Sequence, residues 1–250
     1  MGSMAKKTSK ASPDLVLQAS QLSGRALQLA LQSLLTNVKA DEGAMLVVHA
    51  LDTAGQHSAL MGLSQSIRVN VGGDLGDFAC AYNQAAKVMI RGNVGNGVGD
   101  GMTGGAVRVY GRAGDGVGVA MSGGTLAVYG HAGNSCGAAM CGGEIFVRGD
   151  VGSQLGVGAR RGTIVVGGNA GNRVGEAIGQ ATIYIRGEAE SLAPGVVETG
   201  LRERERLRLG LLLINAAIKG DANEFRRIVP KAIYEEEKNR PRGEIDPSWR

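Results

Sequence analysis

The apolar residues in the middle of the chain recur with a fixed step of 19 residues. One column of this repeat contains Val69, Val88, Val107, Leu126, Ile145, Ile164 and Ile183. A second column, two residues further on, contains Val71, Ile90, Val109, Val128, Val147, Val166 and Ile185. Apolar, mostly β-branched residues at every second position are typical of a strand with one buried face. The pattern therefore predicts one short strand in each repeat.

Glycines keep the same step, most regularly at Gly73, Gly92, Gly111, Gly130, Gly149, Gly168 and Gly187. A unit of this length cannot bury its apolar side alone, but it can stack on an identical unit so that like strands pair. Glycine suits the corners between the strands, where a Cβ would clash. The sequence thus predicts an all-β solenoid, a right-handed parallel β-helix with 19-residue coils.

The glycine-rich segment GNVGNGVG, residues 92–99, has a superficial likeness to a dinucleotide-binding loop. Such a loop occurs once in a chain, between a strand and a helix, and has a Lys and Ser/Thr or a distant acidic partner. Here the pattern returns in every coil and no GK[ST] follows it. We therefore interpret these glycines as corners of the coils.

The segments before the repeat have a different composition. Residues 1–12 predict a disordered tag and lead, since they begin with MGSM and continue as a short basic stretch. Residues 13–53 predict a cap, with a strand at Leu15–Leu17 and a helix from Ser23 to Leu35 in which Ser23 is the N-cap. The β-helix itself is expected to span residues 54–192.

After the repeat, residues 193–233 predict C-terminal helices that cover the other end of the β-helix. The first helix is expected at Leu201–Ile218, and a second is expected to begin at Asp221 and continue to Ile228. Residues 234–250 have too few apolar residues to fold alone and predict an extended tail that binds a partner. Its expected contact residues are Tyr234, Ile245 and Trp249.

Two columns of the repeat are polar. The first contains Asp74, Asn93, Arg112, His131, Asp150, Asn169 and Glu188, and the second contains Asp77, Asn96, Asp115, Asn134, Ser153 and Asn172. Asp, Asn and Ser are the residues that turns require, because their side chains bond their own backbone. His131 has no Ser or Cys nucleophile aimed at it. The sequence predicts no catalytic, cofactor-binding or metal-binding residue in this chain.

The cysteines and the charge narrow the function classes further. Cys80 and Cys136 are expected to be buried thiols in a reducing compartment, and the CxxxxC pair of Cys136 and Cys141 lacks further ligands for a metal. The net charge of +4 is spread over mixed signs, which does not favour nucleic-acid binding. There is no apolar run long enough for a membrane span. We expect a cytoplasmic protein.

Apolar residues also occupy outward positions of the strands and corners. One outward column contains Met89, Phe146, Val165 and Tyr184, and another contains Val119, Ala138 and Val157. Exposed apolar rows on a soluble protein indicate that other chains cover them. This predicts a scaffold or interface subunit, with a self-associating structural β-helix as an alternative.

The repeat G-x-x-G-x-x-x-G, followed by a glycine pair before each strand as at Gly104-Gly105, resembles the GXGXG family. That family includes the β-helix domain of the glutamate synthase large subunit. It also includes the β-helix subunits of formylmethanofuran dehydrogenase and of the bacterial formyltransferase/hydrolase complex. The resemblance covers residues 54–192, and Ala85-Ala86 departs from the glycine pair.

The entry segment Ala54–Leu63 and the exit segment Tyr184–Pro194 are similar to those of stand-alone glutamate-synthase-like subunits, most of all the β-helix subunit of N-methylglutamate synthase. The resemblance implies a chain without activity of its own that holds an amidotransferase-like subunit and an FMN-binding subunit in register. The complex would make N-methylglutamate from glutamate and methylamine. The alternative implied by the same repeat is the β-helix subunit of a formylmethanofuran dehydrogenase or formyltransferase/hydrolase complex.

Overall fold

A computed structural model of the chain describes residues 14–37 and 46–239. Within these ranges an 11-stranded sheet runs the length of the molecule. Its strands are β1 (Asp14–Gln18), β2 (Val47–Gln56), β3 (Arg68–Leu75), β4 (Lys87–Ile90), β5 (Ala106–Val109), β6 (Thr125–Val128), β7 (Cys141–Val147), β8 (Arg161–Val166), β9 (Thr182–Ile185), β10 (Val196–Thr199) and β11 (Arg226–Pro230). The α-helices are α1 (Gly24–Asn37), α2 (Glu203–Asn215) and α3 (Lys231–Asn239). Residues 1–12 and the expected contact residues Ile245 and Trp249 lie outside the described residues.

Strands β3 to β9 pair in parallel, each with the strand one coil further on. Val69 pairs with Val88, Val88 with Val107 and Val107 with Leu126, so the register keeps the 19-residue step of the sequence. These side chains are buried in one continuous apolar core that runs along the inside of the coils. The predicted all-β solenoid, a parallel β-helix, is confirmed.

The corners of the coils use alternate residues in the left-handed conformation. Gly97 and Gly101 have φ values of +68° and +62°. A Cβ at Gly97 would lie 2.7 Å from the Phe78 ring, and a Cβ at Gly101 would lie 2.6 Å from the Tyr82 ring. The two aromatic rings of one coil therefore lie against the bare backbone of the next, which requires glycine for space as well as for φ.

The N-terminal cap has the predicted helix. The backbone N–H of Ala26 donates to Ser23 Oγ at 3.2 Å, as expected for an N-cap serine. Leu27 and Leu31 of α1 are fully buried in the core of the β-helix. Strand β1 pairs in parallel with β2 and is the first strand of the sheet. The helix thus closes the apolar interior, and β1 forms the edge of the sheet.

The C-terminal segment differs from the prediction. The first predicted helix is α2, but the second, from Asp221 to Ile228, is wrong. Asp221 does cap a turn, since its Oδ1 accepts the N–H of Asn223 at 2.9 Å, but only a 3₁₀ helix of three residues follows at Ala222–Glu224. The chain then becomes β11, which pairs antiparallel with β9 and β10. The open edge of β9 offers backbone partners that a second helix would leave unpaired.

The tail also differs from the prediction at its start, because residues 234–239 belong to the helix α3 (Lys231–Asn239) instead of an extended segment. The helix packs beside β10 and β11. Its Glu237 carboxylate accepts from Arg227 Nη2 at 2.7 Å and 2.9 Å. No residue of α3 is buried, so the helix gains little stability from apolar packing. The ion pair with Arg227 supplies tertiary support instead.

Candidate functional site

The outward apolar column of the strands is covered by the chain's own α2. Phe146, Val165 and Tyr184 are 1%, 0% and 5% exposed and form a second apolar cluster with the inner face of the helix. Leu209, Leu212 and Leu213 are the helix residues of that cluster. The prediction that this column is exposed and waits for another chain is therefore wrong for these positions; Met89 is half-buried.

The opposite face of α2 carries a second apolar row, which we call the outer stripe: Leu207, Leu211 and Ile214. Their spacing of four and then three residues places them on one side of the helix. They are 68%, 65% and 75% exposed. The outer stripe is the most exposed row of large apolar side chains among the described residues. The two apolar faces of α2 therefore differ in environment, because one packs on the β-helix and the other is exposed.

Buried ion pairs hold α2 in place. The Arg227 side chain is 5% exposed, and its Nη1 lies 3.0 Å from Glu205 Oε1 on α2. Its Nη2 lies 2.7 Å from Glu237 Oε1 on α3. Arg202 Nη2 lies 3.1 Å from Glu205 and 3.0 Å from Glu237. This Arg227 cluster joins α2, β11 and α3, so the outer stripe has a fixed position on the molecule.

Tyr184 lies beneath α2 in the second apolar cluster. Burial raises the pKa of its phenol to about 12, and the Glu205 carboxylate adds to the rise. Arg227 acts in the opposite direction but does not outweigh the burial. The phenol therefore stays neutral wherever the protein is folded at ordinary pH.

The polar columns link each coil to the next. Asp77 Oδ1 accepts from the backbone N–H of Asn96 at 2.7 Å, Asn96 Oδ1 from Asp115 at 2.8 Å, and Asp115 Oδ1 from Asn134 at 2.7 Å. The sequence predicted bonds from these side chains to their own backbone, whereas the acceptors serve the coil that follows. The correction follows from the register, since the same position of the next coil is only about 4.8 Å away.

Both corner histidines belong to these ladders. His131 Nδ1 accepts from the backbone N–H of Asp150 at 3.0 Å. His57 Nδ1 accepts from the backbone N–H of Asp77 at 3.0 Å and begins the second ladder. The sequence did not place His57 in a column, because it precedes Asp77 by 20 residues instead of 19. Each imidazole acts as an acceptor in the scaffold, in the role that Asp or Asn has in other coils.

An open groove of about 510 Å³ lies between the two ladders near the C-terminal coils. Asp150, Glu188 and Glu190 line it. Asp150 Oδ1 accepts from the N–H of Asn169 at 2.8 Å, and Glu190 accepts from the Asn172 amide. The groove is thus the space left between two hydrogen-bonded ladders, and the Asp150 and Glu190 carboxylates are engaged in them, whereas Glu188 takes part through its backbone N–H, which donates to Asn169 Oδ1 at 2.9 Å.

The cysteines are separated by the fold. Cys80 and Cys136 lie in the core, and burial raises the pKa of each thiol to about 12. Cys141 is exposed. Across residues 14–37 and 46–239, no group of three or more His, Cys, Asp or Glu side chains is arranged to hold a metal ion.

Asn83 is a structural residue that the sequence did not reveal. It occupies the inner column that continues as Met102, Met121 and Met140, and it is fully buried. Its Nδ2 donates to the carbonyls of Ala86 at 3.0 Å and Gly104 at 3.1 Å. The coil that has Ala85-Ala86 in place of a glycine pair is therefore closed by a buried amide. The signal was a polar residue in an apolar column.

Comparison with models of known protein families gives no match, and no curated protein is significantly similar to the chain. Within the described ranges, the helices are all too short or too polar to cross a membrane.

Proposed function

We propose that this chain is an assembly subunit of a multi-chain enzyme. The observation that carries the proposal is the outer stripe of Leu207, Leu211 and Ile214, which stays exposed although the other face of α2 is buried on the β-helix. Rows of large apolar side chains on a soluble protein mark contacts with other chains. The Arg227 cluster fixes α2, so a partner meets a preformed surface.

The complex that we propose is of the glutamate synthase type, most closely N-methylglutamate synthase, with an amidotransferase-like chain and an FMN-binding chain as partners. The support is the resemblance of the glycine repeat to the GXGXG family, together with the segments Ala54–Leu63 and Tyr184–Pro194. The repeat forms the coils of the β-helix. We place the protein in the cytoplasm, where buried thiols such as Cys80 stay reduced.

In such a complex, this chain holds the two partner chains in a fixed relative position. An amidotransferase-like site and a flavin site on separate chains must stay aligned for an amine released at one to reach the other. Holding the two chains on one stiff support raises the effective concentration of the amine at the second site. The proposed substrates of the whole complex are glutamate and methylamine.

Purification of the native complex through a tagged copy of this chain tests the proposal. We expect an amidotransferase-like chain, a second chain with the visible absorbance of FMN, and N-methylglutamate formation by the complex but not by this chain alone. Leu211→Ser should release the partner that covers the outer stripe, while Leu29→Ser, a matched change of an exposed leucine on α1, should release neither partner. A flavin-free complex with a pterin- or methanofuran-dependent enzyme would instead indicate the formyl-transfer alternative, and a chain isolated only with itself would refute an assembly role.

A further inference from the structure

The outer face of the β-helix is divided into two parts along its length. From β6 to β9 its central positions are apolar and covered by α2. From β3 to β5 the outward positions carry the exposed Arg68, Lys87 and Arg108 beside the half-buried Asn70 and Met89, and the exposed Arg91 follows directly after β4. We call this second part the basic face. Positive and negative residues are mixed along the sequence, but the stacking of the coils brings these four positive side chains together on this face.

The basic face carries cations without anionic partners in the described part of the chain. Arg68 and Lys87 pair in register on neighbouring strands, where like charges repel. Neither they nor Arg91 forms an ion pair with a described residue. The Arg91 guanidinium lies 5.9 Å from the centre of the Tyr110 ring. Because these cations repel one another, binding of an anionic group between them is favourable.

The basic face is continuous with the outer stripe. Arg108 Nη2 donates to the carbonyl of Asn215 at 3.4 Å, which places the C-terminal end of α2 beside β5. Ile214, the last residue of the outer stripe, precedes that carbonyl by one position. Tyr110 is 47% exposed and stacks on Tyr129, whose ring packs beside the second apolar cluster. The cationic basic face and the apolar outer stripe therefore meet at the C-terminal end of α2.

Charge decides which occupant fits this surface. A second copy docked through the same face would set its own Arg68 and Lys87 against those of the first. A nucleic acid would satisfy the cations but offers a phosphate backbone to the exposed leucines of the outer stripe. A protein surface with carboxylates beside an apolar patch satisfies both halves.

We propose that the outer stripe and the basic face together bind an acidic, partly apolar surface of a partner subunit, with partner carboxylates against Arg68, Lys87 and Arg91. The inference rests on the proposed function, since the partner is one of the chains of that complex. It adds the chemistry of the contact and the part of the β-helix on which it lies.

The test uses Lys87→Glu in the full chain, with the two partner chains purified from the native complex as probes. Glutamate at this position faces Arg68 and replaces a repulsive pair with an attractive one, so the variant should unfold at a higher temperature. Its affinity for a partner should nevertheless fall by roughly tenfold or more, with a weaker dependence on salt. The opposite directions of the two effects separate lost docking from lost folding.

Arg25→Glu is the matched control, because it changes the net charge equally at an exposed position on α1. It should leave affinity and salt dependence unchanged. If wild-type chain binds neither partner, the proposed function fails; if it binds and Lys87→Glu binds equally well, only this inference fails. Tight binding of a single-stranded oligonucleotide, or a dimer in sedimentation that Lys87→Glu disrupts, would also overturn it in favour of nucleic acid or a second copy.

Discussion

Replacing Arg227 with methionine should be the most damaging single change outside the coils. The Arg227 side chain is 5% exposed and bonds Glu205 and Glu237, which are 12% and 13% exposed. Without the guanidinium, two carboxylates of different helices remain almost buried, with Arg202 as their common cation. Removing one partner of a buried ion pair costs about 3–5 kcal/mol. We expect about 3 kcal/mol here, because Arg202 compensates in part.

Arg226→Met is the matched control at the neighbouring position. Arg226 lies 3.1 Å from Glu198, but the two side chains are 41% and 35% exposed. An ion pair of this exposure contributes about 0–1 kcal/mol. Arg226 also donates to the carbonyl of Gly187 at 2.8 Å, which adds about 1 kcal/mol. The two arginines therefore differ in burial while sharing a strand and a side-chain type.

Hydrogen exchange of the backbone amides measures the effect where it occurs. Arg227→Met should lower the opening free energy of α2, β11 and α3 while β3 to β7 keep their protection. Adding Glu237→Gln to Arg227→Met should restore part of the loss, since it removes one stranded charge. Equal losses from Arg227→Met and Arg226→Met, or no recovery in the double variant, would refute the assignment of a buried charge cluster.

Three further predictions concern the core and the corners. One thiol of the folded chain should react with a maleimide and three after unfolding, because only Cys141 is exposed, and Cys141→Ser should abolish the fast reaction. Between pH 10 and pH 12 the free energy of unfolding should fall, because the folded state retains the Tyr184 proton that the unfolded state loses. This group contributes a slope of at most about 1.4 kcal/mol per pH unit. In urea titrations, Tyr184→Phe should not show this contribution to the slope. Gly101→Ala should destabilise the coil by roughly 1–3 kcal/mol in urea, because its φ is +62° and the new Cβ would meet the Tyr82 ring; an unchanged midpoint would contradict both reasons.

The sequence predicts the coils well because their geometry is repeated. Val107 lies in the same environment as Val88 and Leu126. Each column of the repeat therefore shows several times which type of residue one structural position requires. The register and the inward columns follow from that repetition, and so do the positions of the polar columns, although their bonds to the next coil were not predicted. Asn83 breaks the inner column, and its role depends on two carbonyls at a corner that no pattern describes.

The position of α2 could not be predicted in the same way. The apolar outward column at Phe146, Val165 and Tyr184 indicates that a protein segment covers it. The sequence pattern does not tell whether that segment belongs to this chain or to another. The helix is long enough for this role: β6 to β9 span about 14 Å at the strand spacing, and a helix of 13 residues is about 20 Å long and therefore extends beyond them. Strand β11 was missed because its pairing with β9 joins residues that are far apart in sequence.

The stability of α2 and the proposed docking are coupled through one measurable quantity. If partners bind the outer stripe only when α2 is in place, the apparent dissociation constant is the intrinsic one divided by the fraction of molecules with α2 docked. An opening free energy of about +1.4 kcal/mol leaves about nine-tenths of the molecules docked, whereas about −1.4 kcal/mol reduces the affinity roughly tenfold. The hydrogen-exchange value for Arg227→Met therefore predicts its partner affinity without a fitted parameter, although Arg227 itself is buried. Full affinity in a variant whose α2 amides are unprotected would show that partners bind elsewhere on the β-helix.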